Sequence, residues 1–372
     1  MITPGDLPLP LSAWAQRHIH SLNRLSGVRQ KSSADQLMRE RTVTNGYGTA
    51  GRRSAGGGSQ FHRTQDGAIA LNLSREDDRT LLPALFETAD VEDLAACCSH
   101  AKEGRLVARG RTLGLAIAGL HEQPVSHALE VRALGDRKAP RPMPRLLDLS
   151  ALWAGPLASR LLQNAGCAVT RVDSVGRPDA MEHADPAHFQ ALNDGKRRIQ
   201  LDLRSGEGLR RLRALIAQSD IVIEAARPRA LLQLDIDADA MIRAQPGLTW
   251  ITITGHGTAK GAGDWVAFGD DAAVAGGLSR EMFETTGRLA FVGDAIADPL
   301  TGIRAAELAY RHHLDGGGVR MILSMSGLVA QAIRSEKARS PAQWQALLHA
   351  WSCRTGKPIG RLPADGQMAP SC

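Results

Sequence analysis

From Leu146 onward, short apolar runs alternate with amphipathic stretches of roughly ten to fifteen residues, and this confines the chain to a parallel α/β fold. Leu146-Leu147-Asp148-Leu149 reads as a strand. Gly155-Pro156 opens a helix that runs to about Asn164 and ends at Gly166. Ala168-Val169-Thr170-Arg171-Val172 is the second strand, with Asp173 at its end, and Ile199-Gln200-Leu201-Asp202-Leu203 is the third. Leu209, Leu212, Leu215 and Ile216 then share one helical face opposite Arg210, Arg211 and Arg213. Ile221-Val222-Ile223 and Leu248 to Ile253 add two more strands. Ligands on such sheets collect at the carboxyl ends of the strands. The chemistry is therefore expected in the loops 150–156, 173–198, 224–230 and 254–271.

The rest of the chain is less regular. Residues 1–60 are basic and polar, with few large apolar residues after Leu37 and a Gly56-Gly57-Gly58 run, and read as a flexible N-terminal segment. In residues 61–133, Ile69, Leu71 and Leu73 alternate as in a strand, and Ser74 with Asp77 three residues on marks a helix start, which reads as a small α/β domain. Residues 134–145, rich in proline and arginine, read as a linker. The large α/β unit spans 145–331, and 332–372 hold a helix around Trp344–Trp351 and a polar tail. The fold class is thus α/β: a Rossmann-like parallel sheet with helices, plus a smaller α/β domain.

Composition narrows the function. Aromatic residues make up 4% of the chain, too few for a nucleic-acid stacking platform, and the +6 charge is spread over 45 basic and 39 acidic residues, so nucleic acid is not expected as a partner. The five cysteines form no C-x-x-C pair, which fits free thiols in a reducing, cytoplasmic compartment without disulfides or a zinc site. No apolar run approaches the length of a membrane span, and the N-terminus lacks a basic head with an apolar core, so neither membrane nor secretory leader is expected.

Arg145 to Ser150 with Ala154-Gly155-Pro156, then Asn193 to Ile199 with Leu201-Asp202-Leu203, then Ile296 to Gly302 follow one another in an order that resembles the family III CoA-transferases, which include formyl-CoA and carnitine CoA-transferases and α-methylacyl-CoA racemases. Arg145 to Ser150 followed by Ala154-Gly155-Pro156 is similar to their opening strand and helix. Asn193-Asp194-Gly195-Lys196-Arg197-Arg198-Ile199 with Leu201-Asp202-Leu203 resembles their N-x-G-K-R-S-I-x-L-D-L segment. Ser205 to Gly208, Asp220 to Glu224, Arg227-Pro228 and the turn Ile251 to Gly257 continue the likeness, and Ile296-Ala297-Asp298-Pro299-Leu300-Thr301-Gly302 resembles the catalytic-aspartate loop. A segment similar to the family's small domain (Thr64 to Leu73 and on to Gly114) stands before this region instead of after it, as in a circular permutation or a fusion of half-units.

The resemblance makes Asp298 the catalytic residue. Read without it, Asp298 before Pro299 is a helix N-cap with proline at the first helical position, and both roles suit a carboxylate at a helix start. The implied activity moves coenzyme A between an acyl-CoA and a carboxylic acid through a covalent aspartyl intermediate, with acyl-CoA as substrate and no permanently bound cofactor or metal. Trp153, Ala154, Leu201 and Arg204 match positions that contact CoA, and Phe268, Gly269, Asp270 and Asp271 match the family's G-Y-D or G-H-D turn. Racemases carry histidine where this chain has Asp270, so a racemase by α-proton exchange through Asp298 and Asp270 is one alternative. Ala225, Ala226 and Gln233 depart from the formyl-CoA members, which keeps an inactive CoA-binding subunit as another. Arg171, Lys196, Arg197, Arg198, Arg204 and Arg227 are candidates for meeting the CoA phosphates or, individually, solvated surface residues. His256 reads as a turn residue and Cys167 as core. No G-x-G-x-x-G follows the first strand, which argues against a nicotinamide site. A homodimer is expected by resemblance.

Overall fold

A computed structural model describes residues 7–354. Its strands are β1 (Ser59–Arg63), β2 (Ala68–Asn72), β3 (Ala116–Gly119), β4 (Leu129–Ala133), β5 (Arg145–Asp148), β6 (Ala168–Ser174), β7 (Arg197–Leu201), β8 (Ile221–Glu224), β9 (Thr249–Thr254) and β10 (Val319–Ser324). Seven form one sheet in the order β4-β10-β9-β8-β5-β6-β7. All neighbours are parallel except β4, which runs antiparallel to β10. The expected parallel α/β sheet is therefore present. The chain leaves β5 toward β7, then crosses back to build β8, β9 and β10 on the other side. The order reverses between β5 and β8, and in such sheets the crevice at the carboxyl ends of that pair is the usual binding place.

The central parallel strands β5 and β8 are buried on both faces, which is why Leu146, Leu147, Ile221, Val222 and Ile223 read as continuous apolar runs. One face packs against the helices Ala154–Asn164 and Ala297–Leu314. These two approach closely because Gly302 has no side chain: a Cβ there would stand 2.6 Å from the carbonyl oxygen of Ala154. The other face packs on the helices Gly206–Ala217 and Ala238–Ala244.

The smaller sheet, β1-β2-β3, is antiparallel. One face carries Phe61, Ala70 and Ala118 onto Val274, Ala275 and Phe291, with the Phe61 and Phe291 rings 4.4 Å apart. The other face carries Ile69, Leu71 and Ile117 onto Leu82, Leu85 and Leu106. The small sheet is thus buried on both sides and leans on the helix Gly269–Ala275, which sits at the candidate site.

The structure corrects the N-terminal reading. Residues expected to be flexible form two helices, Ser12–Ser26 and Ala34–Asn45. Leu11, Trp14, Ala15, Ile19 and Leu22 recur at helical spacing and are buried in the main core, beside the helix Ala297–Leu314. The second helix starts with a reciprocal cap: Ser33 accepts from the Gln36 N–H while the Gln36 side chain accepts from the Ser33 N–H. Several of the charged residues that suggested disorder are half-buried in ion pairs instead: Arg39 with Asp35, Glu40 with Arg160 and Arg41 with Asp294.

The 61–133 boundary also moves. β4 pairs with β10 and belongs to the large sheet. The segment expected as a linker is tied down: the Leu134 and Gly135 N–H groups donate to the Gly318 carbonyl at 2.9 and 3.0 Å, and Lys138 N–H donates to Gly316. At the far end, position 331 falls inside the helix Met325–Arg339. A further helix covers Pro341–Ser352 and buries Trp344, Leu348 and Trp351. The polar tail lies mostly outside the described residues.

Candidate active site

Asp298 lies at the carboxyl edge of the sheet, in the first turn of the helix Ala297–Leu314. Its helix begins two residues earlier than an Asp298 cap with Pro299 at the first helical position would give, and no side chain caps it, so the N-cap reading of Asp298 does not hold. The half-buried carboxylate turns instead toward Gly269, whose missing side chain leaves room for Oδ2. Burial pushes the Asp298 carboxyl up to about 7, with the nearby negative charges of Asp270 and Asp294 adding to the rise. Arg41 and the Gly269 backbone N–H pull the other way.

Two strained backbone positions present the site. Ala295 has φ +42°, in the left-handed region that a residue with a Cβ rarely adopts. There its N–H donates to Asp270 Oδ1 at 2.9 Å and its carbonyl accepts from the Asp298 N–H at 2.8 Å. Leu152, at φ +65°, immediately precedes Trp153, and its N–H donates to Asp179 Oδ2 at 3.0 Å. Strain of this kind persists only where surrounding contacts enforce it, and it clusters at functional sites.

Asp270 is buried and its carboxyl is raised to about 6, first by burial and then by Asp294. Asp271 points inward. Its Oδ1 accepts from the Phe268 N–H at 2.8 Å, its Oδ2 has no partner, and burial raises it to about 8. Asp270 therefore faces the site while Asp271 braces the start of its helix. Trp153 is buried, with the Arg41 guanidinium 5.0 Å from its ring centroid and the His188 ring 4.6 Å away, edge-on.

The fold thus gathers Asp298, Gly269, Asp270 and Trp153 at one place. Ala154 contributes to helix packing through its carbonyl, and Phe268 is half-buried at the start of the Asp270 helix. Leu201 and Arg204 are not brought to Asp298. They lie at the end of β7, two strands or roughly 10 Å outward from β5. The Leu201 side chain is buried with Val172 and Ile199, while Arg204 is exposed beside Gly176.

Among the basic candidates, Arg171 is buried against Asp173, Asp179 and Asn193. Lys196 is buried against Asp148, Ser159, Asn193 and the Pro156 carbonyl. Arg198 pairs with Asp173 and Glu182. Arg171 and Lys196 are thus buried, while Arg197, Arg198, Arg204 and Arg227 are exposed. His256 is no free turn residue. It is buried with Nδ1 3.2 Å from Ser326 Oγ, and burial lowers it to about 3. Cys167 is buried, and its thiol is pushed up to about 12 by burial, as a core residue should be.

Sequence reasoning missed Arg41 and Asp294, which meet in a two-pronged ion pair beside Asp270. The Ser33-x-x-Gln36 cap signalled the helix that carries Arg41. Nothing local in the sequence linked Arg41 to Asp294, which lies more than two hundred residues further along the chain. A concavity of about 500 Å³ lies elsewhere. It is lined by Lys138, Arg141, Arg145, Asp220 and Gly247 at the amino ends of the strands, the edge away from Asp298.

The family profile described as CoA-transferase family III matches residues 144–334. The chain belongs to CoA-transferase family III. The segment it shares with that family carries β5 through β10, Trp153, Asp270 and Asp298. A succinate–glutarate CoA-transferase of Agrobacterium fabrum is 29% identical over 49% of this chain and 50% of its own length. A formyl-CoA:oxalate CoA-transferase of Streptomyces coelicolor is 29% identical over 51% of this chain and 48% of its own. The family III chain described here thus spans about half the length of the curated relatives it matches. Among solved structures, a CaiB/BaiF family protein from Brucella suis superposes with a TM-score of 0.47 at 24% identity, covering 58% of this chain and 59% of that one. Among the described residues, no helix is long and apolar enough to cross a membrane.

Proposed function

We propose that this chain transfers coenzyme A from an acyl-CoA thioester to a carboxylic acid, with Asp298 as the covalent carrier. The observation that carries the reading is the placement of Asp298: a half-buried carboxylate at the carboxyl edge of the sheet, seated on the backbone of Gly269, within the family-matched segment.

In the first step an Asp298 oxygen attacks the thioester carbonyl, the C–S bond breaks and CoA leaves as thiolate, giving a mixed anhydride. The thiolate then attacks the aspartyl carbonyl and expels the donor acid as its carboxylate, leaving an aspartyl-CoA thioester. The acceptor carboxylate attacks that thioester and releases the thiolate again. The thiolate attacks the acceptor carbonyl of the second anhydride, forming the new acyl-CoA and restoring the Asp298 carboxylate. Each stage exchanges one acyl bond for another, so no oxidant or external base is consumed. Before attack, Asp298 must be ionised, and a carboxyl raised to about 7 is a more basic nucleophile than an ordinary aspartate. The Gly269 N–H aimed at the carboxylate suits charge building on that oxygen.

Asp270 favours one further reading, α-proton exchange on an acyl-CoA. It and Asp298 both sit near Arg41 and are both held near neutrality, so one could accept a proton while the other donates.

The test uses succinyl-CoA and formyl-CoA, thioesters of the kinds named for the relatives, with hydroxylamine and mass spectrometry of the Asp298 peptide. A hydroxamate on Asp298, absent in Asp298→Asn, supports transfer. Deuterium entering the α-carbon of an acyl-CoA without hydroxamate would replace it with proton exchange. CoA binding with neither reaction would leave an inactive binding subunit.

A further inference from the structure

The helix Ala34–Asn45 stands outside the family-matched segment, yet it sends one residue into the acid cluster. Arg41 Nε donates to Asp294 Oδ2 at 2.7 Å and Nη2 donates to Asp294 Oδ1. The guanidinium lies 5.0 Å from the centroid of Trp153 and 5.9 Å from that of Tyr47. Gly56, in the glycine run, lets the chain pass close by: a Cβ there would be 3.0 Å from Nη2. One cation therefore faces Asp270, Asp294 and Asp298, and its direct contact goes to Asp294.

We propose that Arg41 is a positioning residue for the reaction at Asp298: held by Asp294 and stacked over Trp153, it sets how much negative charge the Asp298 carboxylate can keep. The inference rests on the transfer reading for its role in turnover, and on geometry for its effect on Asp298. Arg41 and Asp294 act on that carboxylate with opposite signs. Burial works against the guanidinium's charge, but the Asp294 contact keeps it protonated. Asp294 also draws on the same positive charge that would otherwise go to Asp298, which leaves the nucleophile poised between its two forms.

Of the other groups around Asp298, Asp270 raises its carboxyl in the same sense as Asp294 and is left in place in every comparison. The helix Gly269–Ala275 supplies Asp270 and Asp271. The first turn of the helix Ala154–Asn164 is uncharged, as is that of the helix Met325–Arg339. On the Arg41 helix, Glu40 is turned to Arg160. On the N-terminal helix, His18 is turned to Glu307. His188, beyond Trp153, is held neutral by burial, which lowers it to about 4.

The experiment is a pH titration of Asp298 by NMR in full-length protein carrying ¹³C-carboxyl aspartate, with Asp298→Asn assigning the resonance, run on Arg41→Gln, Asp294→Asn and the double variant. Arg41→Gln should move the Asp298 midpoint up by about one pH unit or more, and Asp294→Asn should move it down by a similar amount. The double variant should return toward the parent. Shifts of the same sign, or none, overturn the inference. If Arg41→Gln does not fold, Asp294→Asn decides alone, since an unmoved or raised midpoint is then fatal. The titration needs no substrate. Opposite shifts without hydroxamate would leave the charge balance standing and sink the transfer reading, whereas hydroxamate with unmoved midpoints would do the reverse. Where transfer occurs, the acid limb of its pH profile should follow each midpoint.

Discussion

The carboxylate of Asp298 sits over Gly269 so closely that a side chain of one carbon at that position would overlap both Asp298 Oδ2 and the carbonyl oxygen of Ala295. The second of these is backbone, so it cannot swing away. Gly269→Ala should therefore displace the Asp298 loop. It should cut hydroxamate trapping at least about a hundredfold, since a misplacement of about 1 Å costs that much. The overpacking itself should destabilise the fold by about 1–3 kcal/mol in urea unfolding. Full trapping in this variant would mean that Asp298 reacts from some other position.

The acid cluster gives stability a definite pH dependence. Asp271 is raised to about 8, so the folded chain holds its proton more tightly than the unfolded chain does. Its contribution is most favourable below the ordinary aspartate range and is lost as pH rises from about 4 to about 8. Asp271→Asn keeps an oxygen for the Phe268 N–H and cannot ionise. The difference in Tm, variant minus parent, should become more positive from pH 5 to pH 9. A difference that stays flat across that range would show that Asp271 titrates normally.

Lys196 and Asp148 form a fully buried ion pair at 3.2 Å, with Ser150 and Ser159 also donating to Asp148. Burial and the Lys196 charge oppose each other at Asp148, and the charges of Lys196 and Arg171 prevail, so the carboxyl stays below its usual range. Lys196→Met would leave that carboxylate unpaired in the interior and should cost about 3–5 kcal/mol in urea unfolding. The same pair supports the 149–153 loop, so Trp153 fluorescence should change in the folded variant. A loss under about 1 kcal/mol would mean that water reaches Asp148.

Trp14 is buried in the main core beside the Asp298 helix. Trp14→Ala should lower stability by about 3–5 kcal/mol, the usual range for deleting a buried aromatic side chain. An unaffected unfolding midpoint would mean that the N-terminal helices do not share the core.

The central strands β5, β8 and β9 were legible because residues buried on both faces are mostly apolar, the edge strand β7 because Ile199 and Leu201 alternate with exposed residues, and the helices between them because each shows one apolar stripe. The Asp298 loop was legible as a resemblance, since a motif is local. The N-terminal helices were hidden by composition: Arg17, Arg39, Glu40 and Arg41 make the segment look solvated, although Leu11, Trp14, Ile19 and Leu22 carry the helical period.

Local sequence determined the alternation of strands and helices and the presence of a helix after Asp298, because hydrophobic period and backbone restriction act over a few residues. Tertiary structure alone decided which acids share a guanidinium. Arg41, Asp270, Asp294 and Asp298 come from three separate segments, and their protonation depends on burial and on charges brought together only when the sheet closes. Electrostatic energy depends on distance in space and on displaced water, and neither is written in the order of residues.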